Sequence, residues 1–318
     1  MRDYVLRRIA LMIPLMLGVS FLTFLAFRII PGDIVDFRCG FGCDEAAREA
    51  LREQLGLNRP WYEQYFEWMT NVLQGDFGRS LGEGQLPLTT ELERRMPITL
   101  EIMVLTIIFT IMLGIPLGII SAVRPGTTID HFLRFFGVLG LSVPNFYLGV
   151  LIVVFAAAWF DWSPPQFGRG YVSPTEDPWV NIQQFFFPAI VLAIGSAAVI
   201  MRILRSSLLE VLRNDYIRTA WSKGLRERAV ITRHALKNAM IPVLTILGLE
   251  AGSLIGGSVI MESIFGLNGL GSYILYTAVT RDIVVVQSIV FLAAFAYVTI
   301  NLFVDVAYGW LDPRVRVS

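Results

Sequence analysis

The chain has 318 residues, 55% of them hydrophobic and 16% charged, with a mean hydropathy of +0.61. A soluble domain carries roughly 25% charged residues, so this composition excludes an ordinary soluble protein and indicates a polytopic membrane protein. The 26 basic and 26 acidic residues cancel, and two cysteines and two histidines are too few for the common Cys/His metal cage.

A lipid-spanning helix needs about 20 mostly apolar residues. Six segments meet that length: 9–30, 98–123, 135–160, 185–204, 239–261 and 283–310. The first follows MRDYVLRR and has the look of a signal sequence. Its apolar run is long and ends in IIPGD without a small-residue cleavage pattern, which predicts an uncleaved first helix. Placing the N-terminus in the cytoplasm puts sixteen Lys and Arg residues on cytoplasmic pieces, nine of them between Arg202 and Lys237. The two short outer loops then hold only Arg169 and Arg281. Positive residues stay inside, so both termini are cytoplasmic.

Residues 31–96 form the one sizeable outer loop, with amphipathic helices expected near 44–57 and 60–74. The second sets Trp61, Tyr62, Tyr65, Phe66 and Trp68 among acids, the mix found at a membrane–water boundary. It reads equally as a docking platform for an outer partner or as a shield over the bundle. Cys39 and Cys43, in CGFGC, face the oxidising side on this topology, where a disulfide is expected; free thiols are the alternative.

Pro14, Pro116, Pro144, Pro188 and Pro242 fall in or at the ends of spans, and LGIPLG and LSVPNFYLG add small residues beside them. Such helices suit a bundle that encloses a path. Glu250 lies well inside the fifth span, close to AGSLIGGS, and Asp305 lies toward the cytoplasmic end of the sixth. An acid within the membrane is costly and marks function by default. Glu250 is the candidate to line a cavity for a cationic or polar substrate, with Ser253, Pro144 and Asn145 as further path candidates. Asp305 is expected to pair with Arg202 or Arg205.

Residues 205–238 make the largest cytoplasmic loop. Within it, NDYIRTAWSKGLRERAVITRHALKNAM (214–240) carries six basic residues against two acidic ones. Asn214 or Asp215 can cap a helix whose one face holds Tyr216, Ala220 and the stem of Lys223, and Gly224 offers the left-handed turn that ends it. A second helix follows, with Leu225, Ala229, Thr232, Leu236 and Ala239 as its stripe. Two short helices bent at a glycine form a knob suited to a groove on a soluble partner. A loop that only sets topology, or touches anionic lipid, needs no such turn. A nucleic-acid helix-turn-helix is a poor fit, because the short tethers hold the loop at the membrane.

DYIRTAWSKGL followed by HALKNAMIP resembles the cytoplasmic loop of permease subunits of ABC-type importers, nearest the dipeptide/oligopeptide branch. The outer LGLNRPWYEQYFEWMTNVLQGDFGRS, SVPNFYLG, ESIFGLNGLGSY and the C-terminal DVAYGWLDPRVR resemble that branch in the same order, so the resemblance covers essentially the whole chain. It implies an all-α, single-domain permease (1–318) of the type I importer fold with six transmembrane helices, in the bacterial inner membrane. It further implies a homologous second permease, two cytoplasmic ATPase subunits that carry ATP and Mg, an outer substrate-binding protein, and no cofactor or catalysis on this chain. The loop would couple to the ATPase through Asp215, Tyr216, Arg218, Thr219, Ala220, Lys223, Gly224, Leu225 and His234. Arg218 stands where the wider family has Glu, His234 replaces an apolar residue ahead of Pro242, and Asn268 replaces a proline of the outer hairpin. The expected cargo is a peptide; a nickel complex, glutathione or an oligosaccharide are the alternatives within the branch. An ion-coupled secondary transporter, with Glu250 and Asp305 as a relay, is the alternative class. An intramembrane hydrolase lacks a constellation, since His131 and His234 both sit at or outside the cytoplasmic edge, and the chain has no P-loop, G-x-S-x-G or H-E-x-x-H to indicate chemistry of its own.

Overall fold

A computed structural model describes residues 2–29, 35, 43–54, 56–80, 86–164 and 170–311. Among these residues the architecture is helical, with one isolated β-bridge between Arg79 and Pro87. In chain order the helices are α1 (Arg2–Ile29), α2 (Glu45–Gln54), α3 (Trp61–Leu73), α4 (Leu88–Val123), α5 (Thr128–Ser142) and α6 (Asn145–Phe160). They continue with α7 (Pro178–Val211), α8 (Asp215–Ser222), α9 (Glu227–Ala229), α10 (Leu236–Phe265), α11 (Leu270–Val279) and α12 (Ile283–Leu311). A π turn, Val230–Ala235, joins α9 to α10.

Five helical stretches are each long and apolar enough to cross a membrane. The third crossing in chain order, which brings the number to six, is not the single helix expected over 135–160. It is the pair α5 and α6, bent by 93°. Val143 is extended (φ −93°, ψ 121°) and Pro144 precedes the first turn of α6, because a residue ahead of proline is pushed out of the helical region. Pro14, Pro116, Pro188 and Pro242 sit inside continuous helices.

The centre of the bundle is the α4–α7 pair. Gly114 and Gly118, one turn apart, let the two backbones approach closely. A Cβ at Gly114 would fall 2.8 Å from Ile200 Cγ2, and one at Gly118 3.1 Å from Leu204. Small residues four apart are the means by which helices associate in lipid, where no hydrophobic drive separates chain from solvent. Helix α10 crosses this pair and closes an outer core of Ile98, Ile102, Phe185, Leu192, Leu254, Met261 and Phe265. A second, cytoplasmic core gathers Ile200, Leu204, Leu208, Ala235, Ala239 and Val243. Helix α12 packs on α10 and α1 lies along α12, leaving Leu6, Leu11, Ile13 and Leu22 of α1 facing outward, as a lipid-facing helix requires.

Helix starts follow their caps. Asp177 accepts from the Trp179 and Val180 N–H groups with Pro178 at the first turn of α7. Thr127 accepts from Asp130 N–H at the start of α5, while Asp130 accepts in return from Gly126 N–H at 2.9 Å. Asp130 is buried, and Arg205 of α7 donates to both its oxygens at 2.9 Å. Ser121 of α4 adds a 2.6 Å bond. This ion pair fastens α4, α5 and α7 at their cytoplasmic ends. The pairing expected of Asp305 with Arg202 or Arg205 falls on a side chain outside the described residues.

Outside the bundle, α3 rests on the outer end of α1. Tyr65 is buried, shares a 2.8 Å hydrogen bond with Ser20, and meets Phe21 and Phe24 edge-on. Arg28 bonds Gln64 and stacks over Phe24. Trp61, Tyr62 and Phe66 remain exposed. Cys43 is disulfide-bonded, and Cys39 lies outside the described residues.

Candidate functional site

Two places draw the candidate residues together: the cytoplasmic knob and a cavity at the break in the third crossing. In the knob, α8 is two-faced. Ile217 is 0% exposed and Ala220 6%, and both enter the cytoplasmic core beside Leu208, Val211 and Val230. Asp215, Tyr216, Arg218, Thr219, Lys223, Gly224 and Leu225 are exposed, and so is His234 on the π turn. Ala220 therefore faces the bundle with Ile217 rather than sharing Tyr216's outward face; at 3.6 residues per turn it lies between the two, about 40° from Tyr216 and about 60° from Ile217. Its small side chain lets α8 lie close to the bundle.

Gly224 has φ +76°, and its N–H bonds Trp221 O at 2.9 Å, closing α8 in the left-handed turn expected of it. Asn214 stands at the N-cap, but its side chain makes no capping bond. Arg218 pairs with Asp215 at 2.7 Å on the exposed surface. Asn238 Nδ2 donates to the Tyr216 hydroxyl at 2.8 Å, tying the knob to the first turn of α10. Of the predicted stripe, Ala239 is buried and Leu236 packs on the same core, whereas Leu225 and Thr232 are exposed and Ala229 is half-buried; Val230, Ile231 and Ala235 are the buried residues ahead of them. The π turn is the physical reason: its wider winding shifts the phase of every residue before α10. From Glu227 to Phe265 the helical path is otherwise unbroken. The knob is thus continuous with a membrane crossing.

The second place is a cavity of about 250 Å³. Three of the four predicted path residues, Asn145, Glu250 and Ser253, line it together with Ser196. Pro144 does not line it; it sets the break that starts α6. Ser196 of α7 donates to Glu250 Oε2 at 2.7 Å. Asn145 lies against Gly195, where an added Cβ would come 3.4 Å from Asn145 Oδ1.

Four features escaped the sequence reading. Trp221, exposed beside Arg218 and Lys223, enlarges the knob's outward face, and a tryptophan in a basic cytoplasmic loop is the signal that marks it. Ser196 gave no signal beyond a small polar residue within a span. The Asp130–Arg205 pair joins residues far apart in sequence, although Thr127-x-x-Asp130 has the form of a helix cap. Glu262 is 0% exposed at the outer end of α10, accepting from Thr99 at 2.8 Å and from Ser272 N–H at 2.8 Å. Thr99 in turn accepts from Leu270 N–H at 2.8 Å, so the carboxylate ties the outer hairpin to α4.

Comparison with known proteins places these features in a family. Residues 114–317 match the family described as the binding-protein-dependent transport system inner membrane component, and residues 1–114 match its N-terminal companion. The oligopeptide transport system permease protein AppB of Bacillus subtilis is 37% identical over 99% of this chain and 100% of its own length. The dipeptide transport system permease protein DppB of Escherichia coli K12 is 36% identical over 99% of each. A chain of the MetNI methionine ABC transporter, solved facing inward, shares the fold with a TM-score of 0.53 at 19% identity, covering 71% of this chain and 98% of that one. The crossings, the cytoplasmic knob and the full-length relatives agree: the chain belongs to the inner-membrane permease components of binding-protein-dependent ABC transport systems, as a multi-pass membrane protein.

Proposed function

We propose that this chain is the permease subunit of an ATP-driven peptide importer, forming half of the translocation path with a homologous second permease. Two cytoplasmic ATPase subunits, which bind ATP and Mg, engage residues 214–240, and an extracytoplasmic binding protein delivers the peptide. The chain itself is non-catalytic. The observation that carries the reading is the two-faced knob: Ile217 and Ala220 anchor it in the cytoplasmic core, while Tyr216, Arg218, Trp221 and Lys223 are left for a partner. The peptide class is supported by relatives named as oligopeptide and dipeptide permeases along their full length.

In this mechanism, closure of the ATPase pair moves the knobs as rigid bodies. Each knob draws on α7 through the short connection after Val211 and on α10 through the π turn, so the cytoplasmic ends approach and the path opens outward. The ion-coupled alternative has no observation in its favour: Glu250 bonds Ser196, and its proposed relay partner Asp305 lies outside the described side chains. Affinity purification of the tagged chain from its own membrane tests the proposal. It should recover a second permease and ATPase subunits, and deleting the chain should abolish uptake of short peptides. Recovery of the chain alone, with peptide uptake unchanged in the deletion, would contradict it.

A further inference from the structure

Glu250 stands apart from the other acids around the bundle. Asp130 is held by Arg205, Glu262 accepts from Thr99 and the Ser272 N–H, and Glu101 is held by Tyr171 at 3.1 Å and by Asn181. Glu250 has one partner for its carboxylate, the Ser196 hydroxyl on Oε2, and no Lys, Arg or His pairs with it among the described residues. It lies at the midpoint of α10 (Leu236–Phe265), half-buried, and opens onto the 250 Å³ cavity. A carboxylate at that depth is costly unless a cation or a set of donors compensates it. One hydroxyl is too little.

An independent feature meets the carboxylate at the same cavity. The α5–α6 crossing breaks there, at Val143–Pro144, and Asn145 at the start of α6 lines the space. Broken helices are tolerated at membrane depth where the backbone lines a cavity, and transporters place substrate stations at such breaks. The remaining wall joins polar Ser253 to apolar Phe146 and Met261. The cavity thus offers one negative charge, hydroxyl and amide groups around it, and apolar surface beside them.

We propose that this cavity is a binding station for a primary ammonium group, with Glu250 as its counter-charge and Ser196 orienting the carboxylate. The biological ligand, which rests on the peptide-importer reading above, is the free amino terminus of the peptide in transit, its first side chain lying on Phe146 and Met261. Pairing with Glu250 offsets the desolvation of the ammonium group midway across the membrane. A single station with a partly exposed acid also permits release.

The test uses the assembled complex, with its ATPases and second permease, and reads the cavity separately from transport. Dicyclohexylcarbodiimide labels carboxyl groups open to apolar cavities, and mass spectrometry locates the adduct. Glu250 should be labelled, and both n-butylammonium and alanyl-alanine should protect it, whereas N-acetyl-alanyl-alanine should not. Failure of Glu250 to react, or protection by neither amine, overturns the proposal. Protection by n-butylammonium but not by the dipeptide keeps the ammonium station and counts against the peptide reading. In proteoliposomes supplied with the binding protein, Glu250→Gln should lower peptide uptake about tenfold, the size of a lost charge-assisted bond. ATP hydrolysis stimulated by the binding protein should persist, and Glu250→Asp should restore most uptake. Wild-type uptake by Glu250→Gln would also overturn the proposal.

Discussion

The two ends of α10 are finished in opposite ways. At the outer end the helix stops at Gly266, in the left-handed conformation, and the buried Glu262 gathers Thr99 and the Ser272 N–H around one carboxylate. Around it there is little space: a Cβ at Gly269 or Gly271 would approach Glu262 within 3 Å. At the inner end the polar groups point away from the chain. Arg218, Thr219, Lys223 and His234 are exposed, and a Cβ at Gly224 would meet nothing within 4 Å. Buried polar groups at one end and solvent-exposed ones at the other separate a structural clasp from a contact surface. Buried polar groups hold a shape because leaving them unpaired is costly; exposed ones are available to a partner.

That contrast is broken most severely by removing the clasp. Glu262→Ala leaves the Thr99 hydroxyl and the Ser272 N–H without their acceptor and opens a void, at a cost of about 3 kcal/mol. Thermal melting of the purified complex should show the loss, and an unchanged melting temperature would mean the carboxylate is not the clasp. On the inward face of the knob, Ala220→Leu forces extra volume against Leu208 and Val230, which overpacking data put at about 2 kcal/mol. Lower thermal stability with poorer ATPase retention is expected, because α8 is lifted from the core. Arg218→Ala, on the outward face, should leave stability unchanged, since an exposed ion pair contributes little. Its effect should appear as weaker, more salt-sensitive association with the ATPase, measured by co-purification at rising ionic strength.

Much of this contrast was legible in the sequence, and the reasons differ by feature. Long apolar runs and the placement of Lys and Arg specify crossings and orientation because lipid length and charge are one-dimensional constraints. Gly224 was legible because a left-handed turn selects glycine. The break at Pro144 was not, since Pro116, Pro188 and Pro242 lie in continuous helices and the residue type alone does not decide. The stripe before α10 was misassigned because one π turn resets the helical phase, and no residue type announces it. Glu250 was identifiable by its cost in lipid, while its partner Ser196 comes from another helix and depends on packing. The same holds for Arg205, whose bond to Asp130 joins two helices far apart in sequence.

The claim that residues 214–240 transmit ATPase motion is tested most directly at Gly224. The space around it is open on this chain, so a side chain there acts through the left-handed backbone, at about 1 kcal/mol for an L-residue, or through the partner groove. Peptide uptake and ATP hydrolysis should be measured side by side in proteoliposomes for Gly224→Leu and for Gly224→Asn, the latter tolerating the same backbone conformation. The account predicts an intact Gly224→Leu complex that still hydrolyses ATP but loses most peptide uptake, with Gly224→Asn between it and the wild type. Wild-type uptake per ATP in Gly224→Leu would contradict it.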